Sequence, residues 1–181
     1  LPKSIFVNGH ILVNGEKMSK TVGNVIDPFE LVKKYGSTSS PQVGTDSVRY
    51  YLLREIPSGN DGDFSYEKFE ERYNGDLANG LGNFTSRVLT LAAQFGEVHP
   101  PAEVEPPIIE KINFTKSLVS KKIEEFKLNE ALEAIWALIH FGDRYVNEKK
   151  PWDKNQELRI KNQAIYNAVV ILDNVAALLA P

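Results

Sequence analysis

The chain has 181 residues, 42% of them hydrophobic, which suffices for one domain or two small ones with an apolar core. It contains no cysteine, excluding disulfides and cysteine-ligated zinc, and no apolar run long enough to span a bilayer. A net charge of −3 does not favour nucleic-acid binding unless positive charge is concentrated locally.

The first residue is not methionine, no leader pattern opens the chain, and a strand-like segment begins almost at once. The expectation is a soluble, cytoplasmic piece of something longer, with no membrane partner. Ser4-Ile-Phe-Val7 and Ile11-Leu-Val13 read as two short strands around an Asn8-Gly9 turn. Gly15-Glu-Lys17-Met18-Ser19-Lys20-Thr21-Val-Gly23-Asn24 follows, with two lysines three residues apart, two hydroxyls and a glycine at each end of the lysine cluster. Glycine permits a sharply bent backbone, hydroxyls donate hydrogen bonds and lysines carry mobile point charges. A loop that bends over a polyphosphate needs these groups, although a solvated basic turn would contain them too.

A helix start is then well written. Asp27 is an N-cap, Pro28 stands at the first helical position, Glu30 lies in the first turn, and Gly36 ends the helix. Ser37 to Gly44 reads as a polar, flexible loop. Thr45 is the expected cap of a second helix, with Val48, Tyr51, Leu52 and Ile56 on one side. Arg49 and Arg54 are expected to be solvated or salt-bridged. Pro57 to Gly62 is a turn, where Asp61 and Asp63 lack the further carboxylates of a calcium loop. A return segment near Phe64 completes a small mixed unit, residues 1–64.

From Ser65 the pattern is helical, and residues 65–181 are predicted to form an antiparallel helix bundle. Ser65 caps the first helix, with Phe64 and Phe69 placed as a hydrophobic staple. That helix runs to about Phe95 but carries Gly75, Gly80 and Gly82, implying either a kink or break near Gly75 or something packed closely on its backbone, a neighbouring helix in preference to RNA. Further helices are predicted from Ile108 to about Lys127, Asn129 to about Glu148, with Trp136 in the core, and Glu157 to Leu179. The fold class is therefore mostly α.

Two further groups could carry chemistry. Asn83 and Arg87 stand four residues apart on one helix face, an amide beside a guanidinium that could read and stack on bases. Trp152 follows Pro151 at a helix end among Lys149, Lys150 and Lys154, the setting that holds an unstacked base. A polar outer face for the first pair, and an indole folded over the bundle end for the second, fit the residues as well. No metal site is expected. His10, His99 and His140 stand far apart in sequence and form no motif.

The Lys17–Thr21 stretch resembles the KMSKS signature loop of class I aminoacyl-tRNA synthetases, with Thr21 for the final serine. The flanks Ile5–His10 and Gly23–Pro28 are similar to those of methionyl-tRNA synthetases, and the resemblance covers the chain from Ile5 to Pro181 apart from the loop near Ser37. It implies the C-terminal portion of such an enzyme: a stem-contact unit and an anticodon-binding helical domain. Lys17 and Lys20 would be catalytic, Lys17, Met18, Ser19, Lys20 and Thr21 would bind ATP, and Asn83, Arg87 and Trp152 would bind the CAU anticodon. The partners implied are tRNA(Met), ATP with Mg2+, and methionine, the last two through a catalytic domain whose His-Ile-Gly-His signature is absent here. This chain alone is expected to be inactive, and nothing in the sequence indicates its oligomeric state. A non-catalytic tRNA-binding module or separate subunit, or a synthetase for another amino acid, remain the alternatives. Retention of both lysines argues against a relative that has lost aminoacylation, though not against a separate subunit, and the Asn83/Arg87 and Pro151-Trp152 segments argue against a synthetase for another amino acid.

Overall fold

The computed structural model describes residues 2–3, 5–36, 41–101 and 103–180. It is mostly helical, in two compact units: one comprises 1–77 with 122–132, the other 78–121 with 133–181. The line expected after Phe64 thus falls inside the first unit.

In the first unit, strands β1 (Ile11–Val13), β2 (Glu16–Lys17) and β3 (Gly62–Phe64) form a sheet in the order β2-β1-β3, β2 antiparallel and β3 parallel to β1. The hairpin turn is Asn14-Gly15, not Asn8-Gly9. Both turn residues have positive φ, 53° and 79°, as a tight two-residue hairpin requires. Residues 5–10 form no strand, and Ser4 lies outside the described residues. Gly9 instead meets the chain at Asn60, whose carbonyl oxygen would lie 2.0 Å from an added Cβ.

Helix α1 (Pro28–Tyr35) starts as its sequence dictates, the Asp27 carboxylate accepting from the Phe29 N–H at 2.8 Å. Helix α2 (Pro41–Glu55) begins four residues before the expected Thr45 cap. Pro41 to Gly44 are therefore its first turn rather than loop; residues 37–40 of that expected loop lie outside the described residues. Gly44 is needed for packing: a Cβ there would stand 2.2 Å from the Val32 carbonyl oxygen and 2.7 Å from the Gly36 nitrogen. Gly44→Ala should accordingly push α1 and α2 apart and cost about 1–3 kcal/mol of stability, measured by denaturant unfolding. An unchanged midpoint would show that the helices separate freely.

Leu31, Val48, Tyr51, Phe64 and Phe69 form the core of this unit, with Tyr35, Leu52 and Tyr73 packed on it. The staple is present, the Phe64 and Phe69 rings lying 6.2 Å apart, and the Ser65 hydroxyl accepts from the Lys68 N–H at 3.2 Å. Asp61 and Asp63 tie the sheet. Asp61 accepts from the His10 N–H and Asp63 from the Gly15 N–H, each at 2.7 Å. Arg49 faces Asp46 at 3.5 Å and Arg54 faces Asp76 at 4.0 Å.

Helix α3 (Tyr66–Arg72) passes into a π-helical stretch, Tyr73–Gly82, before α4 (Asn83–Phe95). The three glycines thus accompany a widened helix. Nothing lies within 4 Å of a Cβ built at Gly75, so close approach of a neighbour does not account for that residue. Asp76, in the first π turn, accepts from the Tyr50 hydroxyl at 2.7 Å and from Arg72 at 3.2 Å. Burial first, then the Asp76 carboxylate, push the Tyr50 phenol far above its ordinary value.

The second unit is a bundle of α4, most of α5 (Pro106–Glu124) and of α6 (Leu128–Lys149), and α7 (Leu158–Leu179), with α4 packed on α7. Short connections between successive helices make it antiparallel. Its core includes Phe84, Val88, Ile112, Trp136, Leu138, Ile139, Ile165, Ile171 and Val175, all under 5% exposed, so Trp136 is a core residue as expected. The close helix contact that glycine permits occurs at Gly142 of α6, where a Cβ would stand 2.5 Å from the Phe84 ring. Among the described residues no helix is long and apolar enough to cross a membrane.

Candidate phosphate loop and nucleic-acid interface

The first candidate site follows β2 directly. Lys17 ends that strand, and the chain then curves through Met18 and Ser19 into a turn at Lys20–Gly23. Lys17, Lys20 and Thr21 are exposed, while Met18 and Ser19 are half-buried. The curve is held by one side chain that the motif alone does not single out. The Asn24 carboxamide oxygen accepts from the Ser19 N–H at 2.8 Å, and its Nδ2 donates to the Lys17 carbonyl at 3.3 Å. The Ser19 hydroxyl accepts from the Thr21 N–H at 3.2 Å and the Ser19 carbonyl from the Gly23 N–H at 3.0 Å. The loop therefore carries its own template, and both ammonium groups extend from it into solvent. The signal for Asn24 was available, since an amide just past the glycine can bond backbone on both sides. Asn24→Ala removes both bonds; backbone amides at Ser19 should then exchange with deuterium faster, while those of α1 stay unchanged.

The second candidate site lies within the bundle unit. Asn83 opens α4 and is exposed; Arg87, one turn on, is 31% exposed at its side chain. Trp152 follows α6 and is 46% exposed, so the indole is not folded into the core. Its ring lies 4.8 Å from the Arg87 guanidinium carbon, a cation–π contact that brings two of the three expected residues together. Arg87 donates from Nη1 to Asp143 Oδ1 at 2.9 Å and from Nη2 to Asn147 Oδ1 at 2.7 Å. Asp143 and Asn147 stand one turn apart on α6, and Asn147 Nδ2 donates to Asp143 Oδ2 at 3.2 Å. Neither was expected from the sequence; an acid and an amide at helical spacing shortly before Trp152 were the available signal.

The lysines around Trp152 divide. Lys149 turns to Glu105 at 3.0 Å and lies over the Tyr145 ring, whereas Lys150 and Lys154 are exposed. Lys150 has φ 46°, which turns the chain sharply into Pro151-Trp152. Glu105 also accepts from the Tyr145 hydroxyl at 2.8 Å, and that hydroxyl accepts from the buried Asn167 amide at 2.8 Å. Burial, foremost, pushes the Tyr145 phenol well above its ordinary value. This network braces the end of α6 from which Trp152 projects. Among the described residues no group of three His, Asp or Glu side chains could hold a metal ion.

A family profile described as tRNA synthetases class I (M) matches residues 1–89. Methionine–tRNA ligase of Clostridium acetobutylicum is 42% identical over all of this chain and 28% of its own length. That of Brucella suis is 37% identical over all of this chain and 35% of its own. A solved Mycobacterium tuberculosis methionyl-tRNA synthetase in complex with methionyl-adenylate superposes with a TM-score of 0.87 at 33% identity, over 98% of this chain and 35% of that one. The chain belongs to the methionyl-tRNA synthetase family of the class I tRNA synthetases. It spans about a third, or less, of the length of the relatives quoted.

Proposed function

We propose that this chain supplies the phosphate-binding loop and the anticodon-reading surface of a methionine–tRNA ligase, as its C-terminal part. The observation that carries the reading is the Arg87–Trp152 contact: a half-exposed indole with a fixed guanidinium on it, beside two exposed lysines, at one end of α6. An exposed aromatic in a basic setting offers a face to an unstacked base, and the guanidinium adds donors for base edges. Asn83, one helical turn from Arg87, would contribute an amide able to donate and accept.

The reaction proposed for the complete protein joins the methionine carboxylate to the α-phosphate of ATP and releases pyrophosphate. The methionyl group then passes to the terminal ribose of tRNA(Met). Lys17 and Lys20 would hold the phosphate oxygens as negative charge moves onto the leaving pyrophosphate. Ser19 and Thr21 would add hydroxyl donors, and Met18 would line the loop. Mg2+ would arrive with ATP, coordinated by its phosphates. The methionine pocket is not assigned to any residue of this chain, which by itself should neither activate methionine nor exchange pyrophosphate into ATP.

The test is binding of the purified chain to initiator tRNA and to the same tRNA with an altered anticodon. Tighter binding to the CAU form supports the reading. Equal affinity for both would leave a general RNA-binding module, and strong pyrophosphate exchange by the chain alone would contradict the division of labour.

A further inference from the structure

We propose that Asp143 and Asn147 are positioning residues that set the Arg87 guanidinium over the Trp152 ring and so determine how selectively the anticodon is read; this rests on the anticodon reading of Arg87 and Trp152.

An arginine on a helix surface samples many rotamers, and a guanidinium that wanders reads no particular base edge. Here both terminal nitrogens are engaged, Nη1 by Asp143 at 2.9 Å and Nη2 by Asn147 at 2.7 Å. The acceptors are locked in turn, since Asn147 Nδ2 donates to Asp143 Oδ2 at 3.2 Å. Helical spacing on α6 places the two acceptors on one face, opposite the two-pronged donor from α4. Two of the five guanidinium N–H groups are so used.

Stability is a weak explanation for this arrangement. The Arg87 and Asp143 side chains are 31% and 46% exposed, and an ion pair so wet contributes little to folding. Asp143 moreover places a negative charge beside a surface proposed to meet RNA, which lowers attraction to any RNA. A carboxylate retained there needs a return, and orientation of Arg87 is the one its geometry offers. Asn147 contributes the same orientation without charge.

Selectivity is therefore the quantity to measure: the ratio of Kd for an RNA hairpin with an altered loop to Kd for the hairpin with a CAU loop. Asn147→Ala and Asp143→Ala are made in the full chain, singly and in an Arg87→Ala background, with circular dichroism as the folding control. Asp143→Asn is added should Asp143→Ala fail to fold. Each substitution should lower the ratio about tenfold in the parent and change it little once Arg87 is gone, the signature of residues acting through one partner. Asp143→Ala should at the same time tighten binding to the altered hairpin. An unchanged ratio, or an undiminished fall without Arg87, would overturn the proposal while leaving the anticodon reading intact. No discrimination by the parent chain would remove that reading and this proposal together.

Discussion

Lys20→Ala, in a complete methionine–tRNA ligase containing this chain, should slow methionyl-adenylate formation by about 100-fold or more while changing methionine affinity little. Lys20 stands exposed in the turn that Asn24 and Ser19 shape, reaching away from the backbone that supports it. On the proposed phosphate role, an ammonium placed there would meet phosphate oxygens whose charge grows as pyrophosphate departs, so its contact would strengthen towards the transition state and appear in rate rather than in ground-state binding. Lys17 should behave similarly. The backbone carbonyl that Asn24 holds belongs to Lys17 itself, so its position depends more directly on the loop template. Pyrophosphate exchange with saturating methionine reads the effect. Unchanged exchange in Lys20→Ala would remove the phosphate role, and a raised KM for methionine at constant kcat would move Lys20 to substrate binding.

Trp152→Ala should weaken binding of a CAU hairpin by about 1–3 kcal/mol, a factor of about 5 to 150, without unfolding the bundle. The indole is 46% exposed, so its removal leaves no core cavity. Arg87→Ala should also weaken binding and lessen its dependence on salt. That lessening should be smaller than for an isolated arginine, because the Asp143 carboxylate at 2.9 Å already offsets part of the charge. Salt titrations of both variants provide the check. Parent-like affinity in Trp152→Ala would return the residue to a purely structural role.

Local chemistry was readable from the sequence at several places where one short segment contained both partners, though not at the expected Thr45 cap. Asp27 before Pro28, Ser65 as a cap and the Phe64–Phe69 staple are contacts within a few residues, and each occurs as written. The sequence offers Asn-Gly twice, at Asn8 and at Asn14, and local chemistry cannot choose between them. Pairing with β3, about fifty residues away, selects Asn14-Gly15, helped by Asp63 on the Gly15 amide. Pro41 to Gly44 looked like loop because proline and glycine break helices. Proline is favoured in a first turn, however, and Gly44 is where the backbones of α1 and α2 nearly touch. The candidate site divides in the same way. Asn83 and Arg87 share a face by spacing, and Trp152 at a helix end is exposed. Asp143 and Asn147 were legible only as an acid and an amide at helical spacing; their partner was not, because Arg87 lies on another helix more than fifty residues before them.

Stacking of Trp152 on a base of the anticodon, as proposed, is open to a direct optical measurement. It contains two tryptophans, Trp136 at 4% exposure in the core and Trp152 at 46% on the surface. In Trp136→Phe, all indole emission comes from Trp152. Titration with a CAU hairpin should quench that emission, and the altered hairpin at equal occupancy, followed by anisotropy of a labelled RNA, should quench it much less. Emission that stays constant while the CAU hairpin binds would place the anticodon elsewhere and remove Trp152 from base stacking.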